Sequence, residues 1–381
     1  MKRRTLLKII GAFIALEAAS CALLYFTNTV PNAPMPDPMP AYHTWDNATN
    51  TLALTPNTTL TYAELLAELR RTGQASLSAV LDVELSMHNT PLTEVGLAIN
   101  ESGLRASEVV PNADLTVLLL SDSTAFGLMQ NRTYADFLQK YLNKNIPQLS
   151  IQILNASVPS HTTKDVVDRL PTFATLKPDV VAVYLGINDL YHTPPTTYGL
   201  PTFTLRLVGK FAPQLNQLAD TGVLKTLAGW RMQFETPQSI KNLTKIAKFF
   251  NKTGAKVVFI TPAMLVDTPQ QTPDFSHDKI AQSLPQWTQN PQLLGLYNRR
   301  LTQAMVALAP KLGADVIHAS DWLAITVENQ RAFYDNVHLT STGADAFSQF
   351  LASGLRNTLE NVYLEKQAKA AAAAEAESEA Q

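Results

Sequence analysis

A single cysteine, Cys21, occurs in 381 residues, and it lies inside the apolar N-terminus. Intramolecular disulfides and cysteine-based metal sites are thereby excluded. A large excess of either charge is also missing. The net charge is −2, which gives no electrostatic case for binding nucleic acid. Aromatic residues make up 8% of the chain, and no basic run interleaves with them. His43, His88, His192, His277 and His318 lack metal-ligand spacing, and the chemistry the chain's motifs support requires neither a metal nor an organic cofactor. What the chain does have is 46% hydrophobic content, enough for one large domain with extensions.

Residues 1–30 read as an export signal. Lys2-Arg3-Arg4 precede the apolar stretch Ile9 to Phe26, which carries one charge, Glu17. Arg3-Arg4-Thr5-Leu6-Leu7-Lys8 is similar to the bacterial twin-arginine signal. Apolar residues continue through Ala22-Leu23-Leu24-Tyr25-Phe26 to roughly membrane-spanning length. That favours a retained membrane anchor over lipidation at Cys21 or cleavage after Ala18-Ala19-Ser20. Each fate puts the body outside the cytoplasm, in the periplasm or the extracellular space.

Residues 31–60 are rich in Thr, Asn and Pro. Pro31, Pro34, Pro36, Pro38 and Pro40 predict an extended, semi-rigid stalk. Residues 61–113 read as an extension packing on the body. Thr61 and Glu64 form a capping box ahead of Leu65, Leu66 and Leu69. The body spans 114–365. The tail, 366–381, is Ala/Glu-rich without large apolar residues and predicts a frayed helix or no fixed structure.

Within the body, apolar runs fall at Leu115–Leu120, Leu149–Leu154, Val180–Leu185, Lys256–Ile260 and Ala314–Ile317. Most are continuous, as in strands buried on both faces of a parallel sheet. Helical patterns at Tyr134–Leu142, Thr162–Leu170, Pro237–Asn251 and Leu294–Leu312 separate them, and a last helix runs from about Ala344 to Tyr363. This alternation predicts a doubly wound, three-layer α/β/α domain on a five-stranded parallel sheet, of flavodoxin-like type. Sites in such sheets gather outside the carboxyl ends of the strands.

Three local patterns fall at that edge. Ser121-Asp122-Ser123-Thr124 leaves the first strand, Gly186-Ile187-Asn188-Asp189 leaves the third, and Asp335-Asn336-Val337-His338 lies in the closing loop. Taken alone, each reads as a helix cap, an ordinary turn or a surface turn. In this order, at strand ends, they supply the parts of a serine hydrolase. Ser123 is the nucleophile, His338 the base, Asp335 the orienting acid and Asn188 an oxyanion donor. His161, beside the end of the second strand, reads as a packing residue that could also line the cleft.

Over roughly Asp114 to Tyr363 the chain resembles the SGNH (GDSL-type) hydrolase superfamily. Ser121 to Gly127 resembles its first block, Gly186 to Asp189 its third, and Asp335 to His338 its last. Asn155 to Thr162 occupies the second block, Asn-x-Gly-x-x-Gly-x-Thr in the family. Ser121 replaces a glycine of the first block, and Ser157 and Ser160 replace those of the second. The resemblance implies an oxyanion hole formed by Asn188 and the backbone N–H of residue 157. It further implies a serine esterase, and for a body outside the cytoplasm the reasonable substrates are O-acyl esters of cell-surface glycans or lipids, O-acetyl among them. An O-acyltransferase using the same residues, or a degenerate binding domain, are the alternatives. Tyr191 to about Glu235 forms a long insertion at the active edge, a lid or binding wall on one reading and an extra packed helix on the other.

Overall fold

The computed structural model describes residues 31–105, 110, 112–128, 132–192, 237–267, 284–285, 291–325 and 332–379. The residues ahead of the body form two antiparallel strand pairs and a helical hairpin. β1 (His43–Asp46) and β2 (Thr51–Leu54) pair with Trp45 opposite Leu52. Asn50 turns this hairpin at φ 54°, a left-handed conformation that asparagine tolerates. β3 (Thr58–Thr61), α1 (Tyr62–Arg71), α2 (Ala75–Met87) and β4 (Val95–Ile99) follow, and β3 pairs antiparallel with β4. The expected capping box starts α1: Thr61 Oγ1 accepts from the Glu64 N–H at 3.3 Å, and Glu64 Oε2 accepts from the Thr61 N–H at 2.8 Å. Tyr62, Leu65, Leu66 and Leu69 are its buried face.

The stalk expected over 31–60 is instead folded onto the body as a cap. Its prolines stiffen a chain that also carries apolar anchors, and burial of those anchors decides the outcome. Ala33, Tyr42, Leu52 and Leu54 are buried in one cluster with Phe126, Leu128 and Val158 of the body. The Tyr42 and Phe126 rings stack at 6.0 Å. Arg105 bridges to both Ile99 and Asn155, joining the cap to the edge of the main sheet. Its guanidinium is buried but reaches the carbonyls of Gly96, Ala98 and Phe126.

The body runs β5 (Leu115–Leu120), α3 (Ser123–Phe126), α4 (Tyr134–Asn145), β6 (Ile151–Asn155), α5 (Thr163–Asp168), α6 (Leu170–Ala174), β7 (Val180–Val183) and α7 (Ile187–His192). After the insertion come α8 (Pro237–Thr253), β8 (Lys256–Ile260), α9 (Pro291–Leu308), β9 (Asp315–Ile317), α10 (Ala319–Ile325) and α11 (Ser341–Glu379). The sheet order is β6-β5-β7-β8-β9, all parallel, with Val117 beside Ile153 on one side and Val180 on the other. This is the expected five-stranded α/β sheet. Its chain order reverses at β5, so the ends of β5, β6 and β7 open a crevice at one edge.

Two helices differ from the sequence reading. The Thr162–Leu170 pattern divides at Arg169 into α5 and α6, because Pro171 sits in the first turn of α6 and cannot continue the α5 ladder. The last helix continues past Tyr363 to Glu379, with Leu364 to Ser378 exposed. Alanine and glutamate favour helix even where nothing packs against them. The anchor segment, 1–30, and most of the insertion, 193–236, lie outside the described residues. Among the described residues no helix is long and apolar enough to cross a membrane.

Candidate active site

Ser123 opens α3, a single turn whose geometry is set by Asp122. The Asp122 Oδ1 accepts from the Thr124 N–H at 3.0 Å and the Thr124 hydroxyl at 2.8 Å. Gly127, at φ 68°, ends the turn. Asp122 is 1% exposed, and burial pushes its carboxyl up to about 6. Its second oxygen accepts from Asn188 Nδ2 at 3.2 Å.

The closing loop brings the other two candidates to Ser123. Asp335 Oδ1 accepts from the N–H groups of Val337 and His338 at 2.8 and 2.7 Å, which curls the loop around its own carboxylate. Asp335 Oδ2 lies 2.7 Å from His338 Nδ1, and His338 Nε2 lies 2.8 Å from Ser123 Oγ. A carboxylate only accepts, so the network assigns the proton to Nδ1 and leaves Nε2 free to accept from the serine hydroxyl. Burial works against charge on both partners, but their mutual attraction outweighs it. Asp335 is held below the usual carboxylate range, and His338 above its ordinary 6.5. Their side chains remain 18% and 21% exposed, so the pair is open to a substrate.

Other residues hold this loop, and the sequence did not single them out. The Tyr334 ring stacks on the His338 imidazole at 5.4 Å and 7°. Asn336, fully buried, accepts from the Leu265 N–H on its carbonyl and from the Val266 N–H on its side chain, and it donates to Tyr191. Gly343 lies so close to the loop that a Cβ there would collide with the Ala332 carbonyl. Asn336 stands inside the Asp-x-x-His motif and Gly343 just beyond it. Motif membership was thus the available signal.

Asn188 is placed by Gly186, whose φ of 115° suits only glycine. Its amide donates to Asp122 and, at 3.0 Å, to the His161 carbonyl, so an oxyanion would share these hydrogens. The next residue, Asp189, accepts from the Thr163 N–H at 2.8 Å and its hydroxyl at 2.6 Å, tying α7 to α5.

The second-block loop requires a correction. Ser157 is fully buried, and its N–H donates to Asn155 Oδ1 at 3.1 Å within its own turn. That N–H is therefore already committed within its own turn, and among the described residues the Ser157 hydroxyl has no hydrogen-bond partner. The left-handed position in the loop is Ser160, at φ 66° and half-buried, whose N–H meets no acceptor among the described residues. His161 does not line the cleft. It is fully buried, with Nε2 at 2.7 Å from the Leu52 carbonyl of the cap. Because a carbonyl accepts, Nε2 carries the proton. Burial drives the ring's pKa down to about 3 and keeps it neutral. Among the described residues no group of three or more metal-ligating side chains occurs.

The family described as GDSL-like lipase/acylhydrolase matches residues 122–346. A search of curated protein sequences gave no match. Solved structures similar to this chain include LAE5, an α/β hydrolase from the metagenome of Lake Arreo, Spain, at 15% identity and TM-score 0.41, covering 64% of this chain and 95% of that one. Axe2, an acetylxylan esterase from Geobacillus stearothermophilus, is similar at 15% identity and TM-score 0.41, covering 65% and 95%. The psychrotrophic esterase EstA from Pseudoalteromonas sp. follows at 16% and 0.37, covering 64% and 98%.

Proposed function

The chain belongs to the GDSL-like lipase/acylhydrolase family and is a carboxylic ester hydrolase, and from that premise we propose that it removes O-acyl groups from glycans or lipids at the outer face of a membrane. The observation that carries the mechanism is the hydrogen-bonded chain from Ser123 Oγ through His338 to Asp335. Ser123 Oγ attacks the acyl carbon as its proton passes to His338 Nε2. The tetrahedral oxyanion meets the N–H groups of Ser123 and Ser160 and a shared hydrogen of Asn188. Collapse expels the alcohol, which takes the proton from Nε2. His338 then deprotonates water, which attacks the acyl-serine, and the proton returns to Ser123. Asp335 stabilises the imidazolium in both halves.

The membrane location rests on the apolar stretch Ile9 to Phe26 as a retained anchor. The Pro31 carbonyl accepts from Thr162 Oγ1 at 2.8 Å, two residues from Ser160. The four residues from Thr27 to Val30 reach at most roughly 14 Å when extended. An anchored chain therefore keeps its active edge close to the bilayer surface, which favours esters displayed there, such as O-acetyl groups of surface glycans or acyl lipids.

Full-length protein labelled by a fluorophosphonate, and hydrolysing p-nitrophenyl acetate, supports this reading when Ser123→Ala abolishes both. An ester consumed only in the presence of a sugar acceptor would reassign the chain as an O-acyltransferase. Release of the protein from membranes by alkaline carbonate would remove the anchor.

A further inference from the structure

The chain carries serine at position 160, where the family resemblance has glycine, and yet holds it at φ 66°. An L-residue does not favour that backbone on its own, so the surroundings must impose it. Both following residues are gripped by a segment outside the family match, which begins at residue 122. The Leu52 carbonyl accepts from His161 Nε2 at 2.7 Å, and the Pro31 carbonyl accepts from Thr162 Oγ1 at 2.8 Å. Ala33 N–H reinforces the grip by donating to both Asp165 oxygens at 3.1 and 3.0 Å. The backbone of His161 then extends the restraint, because its carbonyl accepts from Asn188 Nδ2.

We propose that residues 31–54 form a clamp that replaces the missing glycine: through His161 they hold Ser160 left-handed, with its N–H free for the oxyanion, and steady the Asn188 amide. The inference rests on the serine-hydrolase reading of the site. His161 is a positioning residue. It is fully buried, touches no substrate, and acts through Ser160 and Asn188. A cap that lies outside the family match is thus part of the active site.

The test uses the full chain and a soluble acetyl ester, with kcat, KM and thermal unfolding measured for each variant. His161→Leu removes the donor to Leu52. It should lower kcat by about 10- to 100-fold, as displacement of positioned groups does, with KM changed by less than about twofold. His161→Gln keeps an amide donor and should recover most of that loss. The decisive comparison combines His161→Leu with Ser160→Gly. Glycine accepts the left-handed backbone without help, so in that background the His161→Leu loss should shrink by at least about fivefold. If His161→Leu does not fold, His161→Asn, whose shorter amide cannot reach Leu52, takes its place in the same comparison. Equal losses with and without the Ser160→Gly change would overturn the clamp, as would a folded His161→Leu with unchanged kcat. Failure of the wild-type chain to hydrolyse the ester or take the fluorophosphonate would instead overturn the serine-hydrolase reading.

Discussion

His338 stands between a carboxylate and a hydroxyl, and its proton affinity follows from that position. Burial alone would lower its pKa, but the Asp335 charge, the hydrogen bond to Nδ1 and the Asp122 charge together raise it above 6.5. Only the neutral ring can take the Ser123 proton. Activity should therefore fall as pH drops through this raised pKa, with the acid limb of kcat/KM centred above 6.5. A midpoint below 6.5 in a pH–rate profile would show that burial wins. Ser123→Ala and His338→Ala should each abolish hydrolysis, and the double variant should be scarcely worse, since such residues act as a unit. Asp335→Asn should cost up to roughly 10⁴-fold in kcat. Asn188→Ala should cost about 10²–10³-fold, the usual effect of losing one oxyanion donor. Ser157 is the contrasting case. Among the described residues its buried hydroxyl has no partner, so Ser157→Ala should leave kcat unchanged and should not lower the unfolding temperature, because it removes an unsatisfied polar group. A clear loss in either measurement would restore a role to that serine.

At the scale of elements, the closing loop and the start of α11 act as one piece. Thr340 N–H donates to the Ala332 carbonyl at 2.9 Å, and the Phe333–Leu339 bridge closes the loop around Asp335 and His338. Gly343 is what lets the helix approach that carbonyl. Gly343→Ala should displace the loop and slow fluorophosphonate labelling by at least about tenfold, comparable to the cost of misplacing a reacting group by an ångström. Circular dichroism should meanwhile report an intact fold. The strands were legible in the sequence because Leu115–Leu120, Val180–Val183 and Lys256–Ile260 are almost continuously apolar, and a parallel sheet covered on both faces buries such runs. The break between α5 and α6 was also written there, in Pro171, but a helical pattern on both sides hid it. The left-handed backbone at Ser160 had no such mark, since serine does not announce a positive φ as glycine does.

The whole molecule depends on its cap more than the proline-rich composition of residues 31–60 suggests. Pro31 and Ala33 reach Thr162 and Asp165 across more than a hundred residues of sequence. A chain beginning at Tyr42 should thus hydrolyse soluble esters more slowly than one beginning at Asn28, by roughly the 10-fold or more expected when positioned groups drift. Equal rates for the two would mean that the segment from Pro31 is dispensable.

The sequence by itself determined the α/β alternation, the positions of the five strands and the identity of Ser123, Asn188, Asp335 and His338 as candidates. Each of these has a signal within a few residues: an apolar run, a strand-ending turn, or a carboxylate three residues before a histidine. Tertiary structure alone decided that the N-terminal segment is a cap, that Ser157 N–H is occupied, and that Ser160 N–H meets no acceptor among the described residues. Those outcomes depend on contacts such as Leu52 with His161, 109 residues apart. A hydrogen bond between residues so distant leaves no local pattern, because the fold, and not the neighbouring residues, brings its two ends together.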